Sequence, residues 1–167
     1  LDVRTVTMGI NLLDCRSGDI RGTCDNIERK IGGLAENFVP TCDRIGRKLG
    51  IPVVNKRISV TPIALVGQGF KRADFIELAK CLERAADRAG IDILGGFSAQ
   101  VEKGLTESDR EYILSIPEAL SVTEKICASI NIASSQKGIN MDALAMVGQT
   151  VKDLAEITKE SGGFGAA

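Results

Sequence analysis

Two hydrophobic periodicities alternate along the chain. Over residues 5–12, apolar side chains alternate with threonine, glycine and asparagine, and this period of two predicts a β-strand. Between Cys24 and Leu49, apolar residues recur at steps of three and four, which is typical of an amphipathic helix. Pro40 interrupts the helical pattern, so we expect either a kinked helix or two abutting helices.

The same alternation of strand and helix returns three more times. Further strands are predicted over residues 52–61, 91–100 and 126–133. A helix follows each of these strands, and capping residues and prolines predict where helices begin: Asp74 with Glu77, Ser108 with Glu111, Pro117 for a separate helix, and Asn140 or Asp142 for the last one.

This order of elements predicts an α/β fold. Strands separated by long helices pair in parallel through right-handed crossovers. No linker or change of composition divides the chain, so residues 1–167 are predicted to form a single α/β unit. The pattern calls for another strand after the last helix, where Gly165, Ala166 and Ala167 stand. We therefore expect an amino-terminal fragment of a larger domain, completed by the remaining carboxy-terminal part of the same protein.

One face of the predicted sheet is polar. Parallel strands are usually buried on both faces and read as continuous apolar runs, whereas here apolar and polar residues alternate in all four strands. Unpaired buried polar groups cost about 1–3 kcal/mol each, so the polar face requires water, a ligand or polar partners. A wide parallel barrel with a hydrated or ligand-filled lumen satisfies this requirement. Alternatively, these groups form hydrogen bonds within the core or face the rest of the protein.

Charge and cysteine content narrow the function classes. The formal net charge is −1 with basic residues dispersed among acidic ones, which argues against a nucleic-acid surface. The apolar runs are far shorter than the ~20 residues of a membrane helix, and no secretory signal is visible. The five cysteines are odd in number and form no CxxC pair, which favours a reducing compartment. We expect a cytoplasmic protein without a membrane partner.

The chain contains no histidine, and this removes Ser-His-Asp catalysis, Cys-His catalysis and the commonest zinc ligand sets. We predict no metal site and no cofactor, and no catalytic residue can be assigned. Cys15, between Asp14 and Arg16, has a cationic neighbour that can lower the pKa of a thiol. One adjacent arginine is weak support, so an inert cysteine is the favoured interpretation.

Seven polar residues on the strands and their carboxyl ends are the ligand-binding candidates: Asn55, Arg57, Ser59, Ser98, Ser129, Asn131 and Ser134. Arg57 is a fixed cation suited to a carboxylate or a phosphate, and its alternative role is a structural salt bridge. Parallel barrels bind ligands at strand carboxyl ends, which favours Ser98 and Ser134 in particular. Their alternative role is hydrogen bonding to the backbone of the loops.

Several segments resemble a known family. They are Thr7-Met8-Gly9-Ile10, Leu13-Asp14-Cys15, residues 51–63, Gly95-Gly96-Phe97-Ser98-Ala99, Ser115-Ile116-Pro117, residues 129–135 and Gly138-Ile139-Asn140-Met141. Together they resemble the prokaryotic "PFL family protein" group, a domain of unknown function named for its similarity to pyruvate formate-lyase. The resemblance covers essentially the whole chain, and members of that group are much longer.

The resemblance implies that this chain is the first part of a ten-stranded α/β barrel of the pyruvate formate-lyase type. Glycyl radical chemistry is not supported by the residues present, because Gly162-Gly163-Phe164-Gly165 has the character of a helix stop and not of a catalytic glycine loop. Fold alone does not determine function.

Two function classes remain open. In the first, the barrel lumen binds a small anionic metabolite or carries out enzymatic chemistry on it. In the second, the protein is a non-catalytic regulatory or assembly protein that forms homo-oligomers. The resemblance adds a small ACT-domain protein as a partner in this second class, because such a protein is encoded beside some relatives.

Overall fold

The computed structural model describes residues 2–163. Its four long strands are β1 (Val3–Ile10), β2 (Val53–Val60), β3 (Ile93–Gln100) and β4 (Ile126–Asn131). Its helices are α1 (Ile20–Ala35), α2 (Phe38–Leu49), α3 (Ile63–Val66), α4 (Arg72–Ala89), α5 (Glu107–Ser121) and α6 (Met141–Ile157). A small antiparallel hairpin is formed by β5 (Ala133–Ser134) and β6 (Gly138–Ile139), and two short 3-10 helices cover Leu13–Cys15 and Lys159–Ser161.

The four strands form one parallel sheet in the order β1-β2-β3-β4, which confirms the predicted α/β class. Crossovers of one hand between sequential neighbours place every helix on the same face of a sheet. Accordingly, α1, α4, α5 and α6 pack side by side in a single layer. Within residues 2–163 no helix covers the opposite side of the sheet, and we call this side the open face. Its residues are Val3, Thr5, Thr7, Gly9, Val53, Asn55, Arg57, Ser59, Ile93, Gly95, Ser98, Gln100, Cys127, Ser129 and Asn131.

The hydrophobic core lies between the sheet and the helix layer. Ile58, Leu94 and Phe97 project into it from the strands and are at most 1% exposed. Tyr112 of α5 packs its ring against Phe97 with the centroids 5.1 Å apart, and its hydroxyl donates to the Phe97 carbonyl at 2.6 Å. Cys24, Cys42 and Cys81 are buried on the predicted helical stripes, where free cysteines act as small apolar side chains.

Two predictions about helix ends are confirmed. The interruption at Pro40 separates two abutting helices, because α1 ends at Ala35 and Pro40 lies in the first turn of α2. A proline is tolerated there since the first amides of a helix have no partner within the helix. At α6, the side-chain oxygen of Asn140 accepts a hydrogen bond from the Ala143 amide at 3.1 Å.

The prediction that Pro117 starts a separate helix is wrong. Helix α5 runs through Pro117 to Ser121 without a break. The proline removes one helical hydrogen bond, but the neighbouring Ile113, Ile116 and Ala119 are buried against the core, and this burial offsets the loss.

Two further helices begin earlier than the pattern predicts. Helix α5 is capped by Thr106, whose hydroxyl oxygen accepts from the Asp109 amide at 3.1 Å, and not by Ser108. Helix α4 begins at Arg72, so Asp74 lies inside its first turn and accepts from the Lys71 amide at 2.9 Å. In both helices an aspartate three residues after the cap supplies the carboxylate, a role that the sequence pattern had assigned to glutamate.

The fourth strand ends at Asn131, two residues before the predicted end, because the chain turns into the β5–β6 hairpin. β4 is an edge of the sheet, and a cleft of about 740 Å³ separates it from α5 and α6. The prediction of a further strand rests on Gly165, Ala166 and Ala167, which lie outside the described residues. No helix within residues 2–163 is long and apolar enough to cross a membrane.

A bulge at Gly96 interrupts the pairing of β3 with β4. Gly96 has a φ of +112°, and a Cβ atom there would overlap the carbonyl oxygen of Val60. Its neighbour Gly95 has neither constraint, since a Cβ atom added there meets nothing within 4 Å.

We expect Gly96→Ala to lower the free energy of unfolding by about 2 kcal/mol or more. A residue with a side chain in this positive-φ backbone conformation costs about 1–3 kcal/mol, and the overlap of its Cβ atom with the Val60 carbonyl oxygen adds to that cost. Gly95→Ala is the matched control and should leave the free energy of unfolding nearly unchanged. Urea denaturation of both variants measures the difference, and equal effects would contradict the assignment of the bulge.

Candidate functional site

The parallel register aligns open-face residues of neighbouring strands in rows. Thr7 pairs with Arg57, which pairs with Ile93. One step towards the carboxyl ends, Gly9 pairs with Ser59, Ser59 with Gly95, and Gly95 with Cys127. We call this second row the glycine row. The candidates Asn55, Arg57 and Ser59 thus lie together at successive levels of β2 on the open face.

Arg57 is the charged group of this face. Its side chain is partly buried, and its Nε atom is inaccessible and has no hydrogen-bond partner in the described chain. The ion pairs formed within residues 2–163 do not include Arg57. The alternative role of a structural salt bridge therefore finds no partner in this part of the protein. A buried, unpaired donor of this kind costs free energy that a bound acceptor would recover.

Asn55 has a structural role as well as a place beside Arg57. Its side-chain amide donates to the Arg4 carbonyl at 3.1 Å, which ties β2 to β1 next to the row of Thr7 and Arg57. This hydrogen bond fixes the Asn55 side chain in one orientation, one level before Arg57 on the same face of β2.

The glycine row leaves backbone uncovered on both sides of Ser59. A Cβ atom added at Gly9 or Gly95 would meet nothing within 4 Å, and neither glycine has the left-handed backbone that would require its residue type. Glycine inside a strand weakens the strand, and it often marks a position where a ligand or another backbone approaches closely. The row therefore leaves uncovered backbone on both sides of Ser59, and we call this uncovered strip beside Arg57 the trough.

The bulge at Gly96 decides which candidates of β3 share the open face. Strict alternation from the buried Leu94 would direct Phe97 towards the open face and Ser98 towards the helices. The extra residue reverses this order, so Phe97 is buried and Ser98 lies on the open face, level with Ser129 of β4. Ser98 also donates to the Gly96 carbonyl at 3.3 Å.

The remaining candidates are divided between the open face and a loop. Asn131 lies on the open face and pairs in register with Gln100. Ser134 belongs to the β5–β6 hairpin, where its hydroxyl oxygen accepts from the Lys137 amide at 3.1 Å. This contact gives Ser134 the alternative role of stabilising a loop, so Ser134 is the weakest of the seven candidates.

Sequence reasoning missed Glu102, directly beyond the carboxyl end of β3. Its Oε2 atom is buried and accepts no hydrogen bond from the described residues. The available signal was its position, since functional groups of parallel α/β proteins collect at strand carboxyl ends. The two glycines of the trough were also missed as site residues, because their importance depends on pairing across strands.

Cys15 and Cys127 differ in their surroundings. Cys15 is 3% exposed, and burial, with a further contribution from Asp14, raises the pKa of its thiol. A raised thiol pKa and burial support the interpretation of Cys15 as inert. Cys127 is exposed at the end of the glycine row. Among the described residues, no three cysteine, aspartate or glutamate side chains lie close enough together to hold a metal ion.

Comparison with known proteins gives closely similar relatives in bacteria and archaea. "UPF0210 protein" of Syntrophobacter fumaroxidans is 51% identical over 167 residues, covering all of this chain and 36% of the relative. The protein of the same name from Lachnoclostridium phytofermentans is 52% identical over 169 residues, covering all of this chain and 37% of the relative. That of Methanococcoides burtonii is 52% identical over 166 residues, covering 99% of this chain and 37% of the relative.

The chain therefore spans little more than a third of the length of these curated relatives. One family model, described as "Uncharacterised ACR (DUF711)", matches residues 1–167. The relatives carry no name that links them to pyruvate formate-lyase, and the function of the family is not established. On this full-length match, the chain belongs to the DUF711 family.

Proposed function

We propose that the open face binds a small anionic metabolite, with Arg57 as the group that recognises its negative charge. The observation that carries this proposal is the buried Nε atom of Arg57, which has no hydrogen-bond partner in the described chain. Arginine stays charged at all physiological pH values, so the group cannot lose its charge to relieve burial. A bound anion supplies both the missing acceptor and the missing counter-charge.

The geometry of a guanidinium group favours a carboxylate or phosphate over a single acceptor atom. Nε and the neighbouring Nη carry two parallel N–H bonds, which match two oxygens of one anionic group. The register places the Thr7 hydroxyl level with Arg57 and the Ser59 hydroxyl two residues further along β2, so both can add hydrogen bonds to such a ligand. The proposed ligand therefore carries a carboxylate or phosphate next to further polar atoms.

The glycine row supports a ligand that lies directly against the sheet. Gly9 and Gly95 leave uncovered backbone on both sides of Ser59, immediately beyond the level of Arg57. A small, flat body fits this trough better than a bulky one. Neither backbone geometry nor contacts within the described chain explain the two glycines, whereas space for a ligand does.

We further propose that the sheet continues beyond β4 in the longer protein and encloses the open face as an α/β barrel of the pyruvate formate-lyase type. The free edge of β4 and the cleft of about 740 Å³ beside it, lined by apolar residues of β4 and α6, support this continuation. So does the greater length of the relatives. Enclosure would exclude water from the lumen and strengthen the attraction between Arg57 and an anion.

Enzymatic activity in the same lumen is an extension of this proposal. It requires an acid–base group near the ligand, and the carboxylate of Glu102, at the carboxyl end of β3, is the candidate that the described chain offers. Glycyl radical chemistry remains unsupported by the residues of this chain.

An assembly function is the second candidate. Exposed apolar side chains of the helices, including Leu34 of α1 and Leu49 of α2, favour contact with another protein surface. In this case the partner would be a second copy of the protein or a small ACT-domain protein, and the open face would be filled by side chains of the longer chain.

The first prediction concerns Arg57. In a thermal-shift screen of the complete protein against amino acids, keto acids and phosphorylated metabolites, we expect at least one anionic ligand to raise the melting temperature. Arg57→Ala should weaken its binding at least about tenfold, since each hydrogen bond to a charged group contributes about 1.5–3 kcal/mol. Arg57→Lys should restore only part of the affinity, because lysine keeps the charge but loses the paired N–H bonds.

The matched control is Arg4→Ala, which removes an exposed arginine of the neighbouring strand β1. This variant should bind the ligand with unchanged affinity. Without ligand, Arg57→Ala should be at least as stable as the wild-type protein, because it removes a buried donor without a partner. If Arg57→Ala is strongly destabilised and shows no effect on ligand binding, the role of Arg57 is structural. A screen in which no ligand raises the melting temperature would favour the assembly function.

The second prediction concerns the trough. Gly95→Ala should fold normally but bind the ligand at least about tenfold more weakly, because its methyl group occupies the space beside Ser59. Gly33→Ala, an exposed position of α1 with nothing within 4 Å of the added Cβ atom, is the control and should bind normally. Isothermal titration with the ligand from the screen measures both affinities. Unchanged binding in Gly95→Ala would show that the trough is not occupied by the ligand.

A further inference from the structure

Two cysteines lie opposite each other where α1 packs against α4. Cys24 on α1 is 8% exposed, and Cys81 on α4 is completely buried. The Cys81 thiol lies 3.5 Å (Sγ to O) from the backbone carbonyl oxygen of Cys24, and the Cys24 thiol lies 4.0 Å from the backbone carbonyl oxygen of Glu77, one helical turn before Cys81. They are 57 residues apart in sequence, so only the packing of the two helices brings them together.

Charged side chains hold the two helices in this register. One turn after Cys24, the carboxylate of Glu28 forms ion pairs with Arg84 and Arg88 of α4, both at 2.7 Å. The Glu28 side chain is only 13% exposed, so these pairs are shielded from water on one side. The contacts fix the relative position of the helices and therefore keep Cys24 and Cys81 facing each other across the helix contact.

The two thiols have different environments, which gives them different chemical roles. The neighbouring Cys81 side chain lowers the pKa of the Cys24 thiol against the effect of burial, and the nearby Arg84 adds to this lowering. The neighbouring Cys24 side chain, together with burial, raises the pKa of the Cys81 thiol. Cys24 is also the more accessible of the two. Of the pair, Cys24 is thus the thiol that reacts first with a small reagent, and Cys81 is placed to attack it afterwards.

We propose that Cys24 and Cys81 form a reversible disulfide when the protein meets hydrogen peroxide. The Cys24 thiolate attacks one peroxide oxygen, the O–O bond breaks, and the hydroxide that leaves becomes water, giving a sulfenic acid at Cys24. The sulfur of Cys81 then attacks the Cys24 sulfur, its proton leaves, and the displaced hydroxide takes up a proton. Two thiols lose two electrons in total, and one peroxide is reduced to two water molecules.

The bridge would tie α1 to α4 and close a loop that contains all of β2, the strand of Arg57. Closing a long loop restricts the unfolded chain, so the disulfide should stabilise the folded state. The proposal depends only on the two helices and holds whether or not the open face binds an anion.

The experiment is a peptide map of the complete protein before and after treatment with hydrogen peroxide. Trypsin cleaves after Arg21 and Arg29 and after Lys80 and Arg84, so it releases the two cysteines on separate short peptides. After oxidation and blocking of free thiols, we expect peptide 22–29 joined to peptide 81–84 and lighter by two hydrogen atoms than the sum of the reduced peptides. A thiol reductant should separate them. The oxidised protein should also melt several degrees higher than the reduced protein.

Cys24→Ala and Cys81→Ala should each abolish the joined peptide and the rise in melting temperature. Cys42→Ala is the matched control, because Cys42 is also a buried helical cysteine, but no hydrogen bond among the described residues joins it to another cysteine. It should leave both effects intact. Peroxide treatment that gives no joined peptide, or that oxidises Cys24 only to sulfinic acid, would overturn the proposal. The wild-type map decides this even if one alanine variant fails to fold.

Discussion

The handedness of the strand connections determines most of what is distinctive about this chain. Four parallel strands in sequential order, joined by crossovers of one hand, place every helix on one side of the sheet. In the part of the chain that the structure describes, the other side is left without a helical cover, which is unusual for parallel strands. The polar residues that alternate with the core residues all belong to this open face. The topology of the sheet therefore accounts both for the polar character of these residues and for their exposure.

Arg57 illustrates the consequence. On an ordinary sheet covered on both faces, a buried guanidinium without a partner would be a defect to be removed by selection or paired with a carboxylate. On this open face, Arg57 lies next to the glycine row, where uncovered backbone leaves space for another molecule. The cost of the unpaired donor and the weak strand positions of the glycines oppose stability. Both features are understandable if they serve the recognition of an anion, because binding sites commonly retain such locally unfavourable groups.

The helix layer contains a pair of neighbouring cysteines that is separate from the open face. Cys24 and Cys81 fill small spaces between α1 and α4, as buried cysteines commonly do, but the Cys81 sulfur also lies 3.5 Å from the backbone carbonyl oxygen of Cys24. The ion pairs of Glu28 with Arg84 and Arg88 keep the helices in register around this contact. The same packing that stabilises the helix layer thus places two thiols where an oxidant can join them.

The sequence by itself determined the type and approximate bounds of the strands and long helices, because periodicity and caps such as Asn140 depend on residues close together in the chain. It also predicted the polar face, since alternation within a strand sets side-chain direction. Only the tertiary structure decided that Ser98 shares that face, through the bulge at Gly96, and that Gly9, Ser59 and Gly95 form one row. It likewise decided that Arg57 has no partner in the described chain and that Cys24 meets Cys81. These features depend on register and packing between segments distant in sequence, which a local pattern does not specify.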